Sequence, residues 1–220
     1  CAQLEHNQSD NGAFMKPLFI AIEGLDGSGG TTQSKLLQSW LHSKGQNVLL
    51  TREPTERTVG RFIRQALRTD TEAGQLAENV LPFLFAADRQ DHLNSEIHPA
   101  LNEGSWVITD RYYHSSLAYQ SLSVEFHTVA ELNKKFLQPD ITFVLWLEPE
   151  LSFQRIEQRG ALVERFETLE YLKTISQAYE KVISYSKKRG ENIQKINADR
   201  SIEDIHKDLC STVEDLCGIM

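Results

Sequence analysis

Between residues 24 and 32 the chain reads GLDGSGGTT, a spacing of glycines and hydroxyls suited to gripping a phosphate. Gly24, Gly27 and Gly29 permit positive φ and close backbone approach, so successive N–H groups can turn inward around an anion at the start of a helix, where the dipole also favours negative charge. Leu25, Ser28 and Thr32 complete the loop. Thr31 offers a hydroxyl to a Mg²⁺ ion, and Asp26 stands within reach of the same ion directly or through water. One position departs from the pattern: the lysine that follows the β- and γ-phosphates through transfer is replaced by Gly30. Lys35 lies more than a turn into the next helix and Lys16 at the far end of the preceding strand, so neither is expected to substitute.

The elements around the loop follow from apolar periodicity. Pro17 to Glu23 (PLFIAIE) is a short apolar run with a β-branched centre, and Thr31 to Lys44 carries Leu36, Leu37, Trp40 and Leu41 on one helical face before Gly45; this predicts strand, loop, amphipathic helix. Further strands are predicted at Asn47–Glu53, Ser105–Asp110, Asp140–Glu148 and, more weakly, Asn192–Asn197. A long helical stretch runs from about Gln75 to Asn102, with Pro82 and Pro99 as boundaries or kinks. Five strands separated by helices imply an α/β fold with a parallel sheet and right-handed crossovers. Ligands of such sheets sit beyond the carboxyl ends of the strands, which gives weight to GLDGSGGTT, TREPTER and DRYYHSS, the segments following the first three strands.

Composition narrows the partners. A net charge of -8 over 220 residues argues against broad binding of a nucleic-acid backbone and requires an anionic ligand to be met by local arginines. No apolar run approaches the roughly 20 residues that span a bilayer. Cys1, Cys210 and Cys217 are too few and too terminal for a disulfide framework, which predicts a reducing, cytoplasmic setting. Residues 1–14 are polar and aperiodic and are expected to be a disordered extension ahead of a single domain spanning 15–220.

Taken together, EGLDGSGGTTQ (Glu23 to Gln33), TREPT (Thr51 to Thr55), FLFAADR (Phe83 to Arg89), DRYYHSSLAYQ (Asp110 to Gln120) and RFE (Arg165 to Glu167) resemble the thymidylate kinases in order and spacing, over nearly the whole chain from Met15. The resemblance implies the P-loop nucleoside-monophosphate kinase fold with a short lid, transfer of the γ-phosphoryl of ATP to dTMP giving dTDP with Mg²⁺ as cofactor, and a homodimer formed through helices beside the sheet, to which Val80–Leu101 would contribute. It makes Phe85 the ring stacked on thymine and Arg89 the donor to a thymine carbonyl. Four residues apart, the two share a helix face. Asp110 becomes a carboxylate near the phosphates and metal, and Arg111 a phosphate-binding arginine, a role its forked guanidinium suits. Ser115, Ser116, Tyr119 and Gln120 line the base and sugar pocket. Glu53 and Pro54 shape the sugar site. Arg64 matches an arginine that reaches the acceptor phosphate, with Arg57 competing for that role, and Glu167 matches an acidic position near the metal or a sugar hydroxyl.

The same resemblance assigns the lid to QRGALVERFE, residues 158–167, with Gly160 as hinge and Arg155, Arg159 and Arg165 around it. Some relatives carry an arginine inside the glycine loop and others carry it in the lid; glycine at position 27 puts this chain in the second group. Phosphoryl transfer depends on alignment and charge neutralisation, so Arg159 and Arg165 are expected to join Asp26 and Arg111 as catalytic groups and to supply the charge missing at Gly30. Two other readings stay open at this point: a kinase of the same fold acting on another nucleoside or nucleotide, and a catalytically silent nucleotide-binding module.

Overall fold

The structure, a computed structural model, describes residues 16–68, 73, 76–158 and 168–218. The extension at 1–14 and the lid positions Arg159, Gly160, Arg165 and Glu167 fall outside the described residues. Five strands, β1 (Phe19–Gly24), β2 (Val48–Arg52), β3 (Trp106–Asp110), β4 (Ile141–Trp146) and β5 (Ile193–Asn197), form one sheet in the order β2-β3-β1-β4-β5. Every pairing is parallel, as expected, and Ile20 at the centre of β1 faces Ile108 on one side and Ile141 on the other.

A parallel sheet is covered on both faces, so its strands read as near-continuous apolar runs, and successive side chains sort to opposite layers. Ile20, Ile22, Ile108, Phe143 and Leu145 pack against Leu37 and Leu41 of α1 (Gly30–Ser43) and Ile205 and Leu209 of α9 (Ile202–Leu216). Phe19, Ala21, Val107 and Val144 face the other layer. That layer contains α3 (Leu81–His92), α5 (Tyr113–Tyr119) and α8 (Leu169–Lys188); α2 (Thr58–Ala66), α4 (His98–Asn102), α6 (Phe126–Asn133) and α7 (Pro149–Gln158) complete the helices of the described residues. None of these is long and apolar enough to cross a membrane.

The long helix expected from about Gln75 is a composite. A 3₁₀ turn at Glu78–Val80 leads into α3, a π-helical stretch follows at Leu93–Ile97, and α4 resumes at His98. Pro82 and Pro99 each sit in the first turn of a helical piece, where a missing N–H costs nothing, so Pro99 restarts the helix after the widened turn.

The sheet order also fixes where a ligand fits. From β1 the chain passes through α1 to β2 on one side, and from β3 it crosses β1 to reach β4 on the other. Connections leaving in opposite directions open a crevice at the adjoining carboxyl ends of β1 and β3.

Candidate active site

The glycine loop lies in that crevice, and its glycines are demanded by geometry. Gly24, Gly27 and Gly29 adopt φ of 147°, 85° and 102°. A Cβ on Gly24 would stand 2.6 Å from the Leu145 carbonyl oxygen, and one on Gly27 2.8 Å from that of Ser152. The loop is braced from behind: the Ser152 hydroxyl donates to the Asp26 carbonyl, and Arg155 Nη1 donates to the Gly27 carbonyl at 3.4 Å. Arg155, grouped with the lid by sequence, therefore serves the back of the loop. In front is a hollow of about 100 Å³ lined by residues 23–32 with Asp110 and Arg111.

Thr31 Oγ1 donates to Asp110 Oδ2 at 2.6 Å, joining the start of α1 to the end of β3. The absent side chain at Gly30 leaves room for this carboxylate, because a Cβ there would lie 2.9 Å from Asp110 Oδ1. Two hard oxygen donors side by side at a phosphate loop fit a small divalent cation such as Mg²⁺.

Asp26, expected at the metal, lines both hollows and has both carboxylate oxygens in contact with other side chains. Its Oδ1 accepts from Arg111 Nη2 at 2.7 Å and its Oδ2 from the Tyr119 hydroxyl at 3.2 Å. Arg111 also donates to Ser115 Oγ at 3.0 Å and lies 5.1 Å over the Tyr119 ring. Burial opposes the guanidinium's charge, but Tyr119 and Asp26, together with Tyr179 and Glu23, more than offset it and raise its pKa. Burial likewise pushes the Tyr119 hydroxyl up, so it stays a donor.

Arg111 has φ of 71°, costly for a side chain of this size. Glu23, at 1% exposure, holds the turn that follows: its carboxylate accepts from the N–H groups of Tyr112 (2.8 Å) and Ser115 (3.2 Å), and from the hydroxyls of Ser115 (2.6 Å) and Tyr179 (3.0 Å). No role falls to Glu23 from the sequence beyond its place in the loop motif, since its partners lie far along the chain.

Beside the loop hollow opens a cavity of about 290 Å³. Glu53, Pro54, Arg64, Phe85, Arg89, Arg111, Ser115, Tyr119 and Gln120, all named from the sequence, line it, and the Glu53–Pro54 peptide is cis. Arg89 is only 1% exposed. Its guanidinium donates to Glu53 Oε2, to Asn133 Oδ1 and, at 3.2 Å, to Ser116 Oγ, between the rings of Tyr112 and Phe136. Ser116 thus reaches the site through Arg89 and does not line it. Arg89 Nε and Gln120 Oε1 are buried without a hydrogen-bond partner among the described residues, a donor and an acceptor that a ligand bearing both would satisfy.

Of the two arginines left in competition, Arg64 lines the cavity, donating to the carbonyls of Pro54 and Thr55 and pairing with Glu56 at 3.1 Å. Arg57 is instead paired with Asp91 at the surface. Sequence reasoning missed Glu78, Leu122 and Tyr171 on the cavity wall, which Arg52 at the end of β2 also lines. Tyr171, in the first turn of α8, carried one signal: it follows the lid by four residues.

The family model for thymidylate kinase matches residues 22–209. The chain is 38% identical to a probable thymidylate kinase of Pyrococcus horikoshii over 209 residues, 93% of this chain and all of that protein. It is 37% identical to a probable thymidylate kinase of Thermococcus gammatolerans over 203 residues, 90% of this chain and 96% of that one. With a thymidylate kinase of Leptospira interrogans it shares 40% identity over 171 residues, 76% and 82% of the two chains. A phosphate loop opening onto an arginine-lined second cavity, and matches of this extent, lead to one conclusion: the chain belongs to the thymidylate kinase family.

Proposed function

We propose that this protein is an enzyme that transfers the γ-phosphoryl of ATP to dTMP, giving dTDP and ADP. The observation that carries the reading is that the loop hollow and the acceptor cavity share four wall residues, Asp26, Thr31, Asp110 and Arg111. A phosphate in each would meet at Arg111.

In the reaction an oxygen of the dTMP phosphate bonds to the γ-phosphorus as the bond to the β-bridging oxygen breaks, and the electron pair leaves on ADP. The protein's work is alignment and electrostatic stabilisation. Backbone N–H groups of residues 24–32 cradle the ATP phosphates. Arg111, tied by Asp26 and Tyr119, stands between donor and acceptor, and Arg64 faces the acceptor phosphate. Phe85 stacks on thymine while Arg89 and Gln120 meet its polar edge, and Glu53, Pro54 and Tyr119 bound the sugar. Thr31 and Asp110 hold Mg²⁺, with Asp26 nearby; the ion supplies neutralisation of phosphate charge. Arg159 and Arg165 provide the cation missing at Gly30, and Glu167 an acidic group beside the metal or sugar.

The assembly we propose is a homodimer of one kinase domain per chain. Phe62 on α2 and Phe83 on α3 are 40% and 54% exposed, and apolar area of this kind is favourably removed from water by a second copy. Cys210 and Cys217 are free, in keeping with a reducing cytoplasmic setting.

The test is coupled detection of ADP from ATP, Mg²⁺ and dTMP. Release that depends on dTMP, with purine monophosphates much poorer, is expected. Binding of dTMP without ADP release would make the protein a silent nucleotide-binding module.

A further inference from the structure

Behind the acceptor cavity lies a buried polar chain to which the reaction assigns no role. His92, at the end of α3, is 0% exposed and does not line the cavity. Its Nδ1 is 3.1 Å from Glu53 Oε1, and Glu53 Oε2 is the acceptor for Arg89. On the other edge of the ring, Nε2 is 2.8 Å from Thr51 Oγ1, whose hydroxyl is directed to Glu96 Oε2 at 3.2 Å. Glu96 itself is half-buried, with its Oε2 3.9 Å from Nε2.

With Glu53 and Glu96 both ionised, counting hydrogens along this chain leaves one consistent state. If His92 is neutral with its proton on Nε2, it donates to Thr51, Thr51 donates to Glu96, and the bare Nδ1 lone pair faces a carboxylate oxygen. If the proton is on Nδ1, Glu53 is satisfied, but Thr51 must give its single hydrogen to Nε2 and none remains for Glu96. An imidazolium, with hydrogen on both nitrogens, satisfies all three contacts at once. It also balances charge, since the two carboxylates Glu53 and Glu96 then face the two cations Arg89 and His92.

Two further carboxylates lie near the ring and are held by other partners. Asp88, one turn earlier on α3, accepts from Thr55 N and Oγ1, and Asp91 is paired with Arg57 from the start of α2. Thr51 and Glu53 come from β2 and its end, and Glu96 from the π-helical stretch. That widened turn keeps Glu96 within reach of Thr51.

We propose that His92 is a positioning residue for the acceptor site: as an imidazolium it fixes the Glu53 carboxylate, and through it the Arg89 guanidinium, against dTMP. The proposal rests on the function given above for the Arg89 cavity. Buried charge pairs hold geometry only when every member is satisfied, and His92 is the member that closes this set.

Two measurements test it. In the ¹⁵N-histidine-labelled full chain, the His92 ring, assigned by its loss in His92→Asn, is expected to show both nitrogens protonated at neutral pH; a neutral tautomer of either kind overturns the proposal. Kinetics of two variants read the positioning. An asparagine amide nitrogen falls near Nδ1 and keeps a donor for Glu53, whereas glutamine reaches toward Thr51 and leaves Glu53 without it. His92→Asn is expected to hold the KM for dTMP within about threefold of the parent, and His92→Gln to raise it roughly tenfold or more, the scale of one lost charge-assisted hydrogen bond, with the KM for ATP steady in both. Equal effects of the two variants on dTMP, or a matching rise for ATP, overturn it. If both variants fail to fold, the His92 ring is assigned instead by through-bond correlation to its own backbone, and the nitrogen spectrum of the parent decides. A parent without dTMP-dependent ADP release would sink the proposed function, and the protonation of His92 would still be read.

Discussion

A Cβ built on Gly30 would stand 2.9 Å from Asp110 Oδ1, while Asp110 Oδ2 accepts from the hydroxyl of Thr31, the next residue. The position that lacks the loop lysine is therefore packed against the carboxylate proposed to hold the metal. Gly30→Ala is expected to push Asp110 off Thr31 and to raise the Mg²⁺ concentration for half-maximal turnover several-fold, about 1 kcal/mol, with the KM for dTMP unchanged. A Mg²⁺ titration superimposable on the parent's would mean that the carboxylate swings aside without cost. Gly30→Lys meets the same obstacle at its stem, so it should shift the metal dependence in the same direction even where its ammonium reaches a phosphate.

Asp26 divides its oxygens between Arg111 and Tyr119. Asp26→Asn keeps the shape and loses the charge that holds the guanidinium. The expected result is a KM for dTMP raised about tenfold, equivalent to 1.4 kcal/mol, with the Mg²⁺ titration moved less than about twofold. A shifted titration at constant KM would make Asp26 a metal ligand first and an anchor for Arg111 second.

The strands are legible in the sequence because burial on both faces leaves them as apolar runs, and the loop because Gly24 and Gly27 meet backbone carbonyls that tolerate no side chain while Gly29 takes a positive φ. The order of the strands is not written locally, and neither is the turn at Arg111, which depends on a carboxylate 92 residues before Ser115. The π-helical stretch after α3 is hidden for the same reason: Leu93–Ile97 has ordinary helical composition, and Thr51 meets Glu96 from 45 residues away. Arg89 is named by its motif, yet its burial follows from Glu53 and Asn133, 36 and 44 residues distant. Polar residues whose partners lie that far off look like surface positions until the fold assembles them.

That burial gives Arg89→Ala two effects. The loss of a charged donor at the thymine edge should weaken dTMP by roughly 1.5–3 kcal/mol and leave ATP unaffected. Removing one member of a buried ion pair should also cost about 3 kcal/mol or more of stability. Calorimetric titration with each nucleotide, alongside a denaturant melt, separates the two. Equal weakening of both nucleotides would assign Arg89 to structure alone.

Beneath the Glu23 carboxylate that holds the Arg111 turn lies a second buried set with its own pH signature. Glu191, its side chain 3% exposed, accepts from the Tyr113 hydroxyl at 2.9 Å, lies 2.9 Å from His114 Nε2 and pairs with Arg189 at 3.1 Å. Burial alone would raise its pKa, but the hydrogen bond and charge of His114, with smaller help from the Tyr113 hydroxyl, hold the carboxyl below the ordinary glutamate value. A carboxyl depressed in the folded state contributes stability that is fully present above its unfolded pKa, about 4.3, and lost as pH falls through the lower folded value. Glu191→Gln should therefore cost roughly 1–3 kcal/mol near neutral pH, the scale of a buried charged acceptor lost to its donors. The gap between parent and variant should narrow as the pH drops below about 4.3. Denaturant melts of both proteins across that range provide the measurement, and a gap of constant size from neutral to acid would show that the charge on Glu191 contributes nothing to the fold.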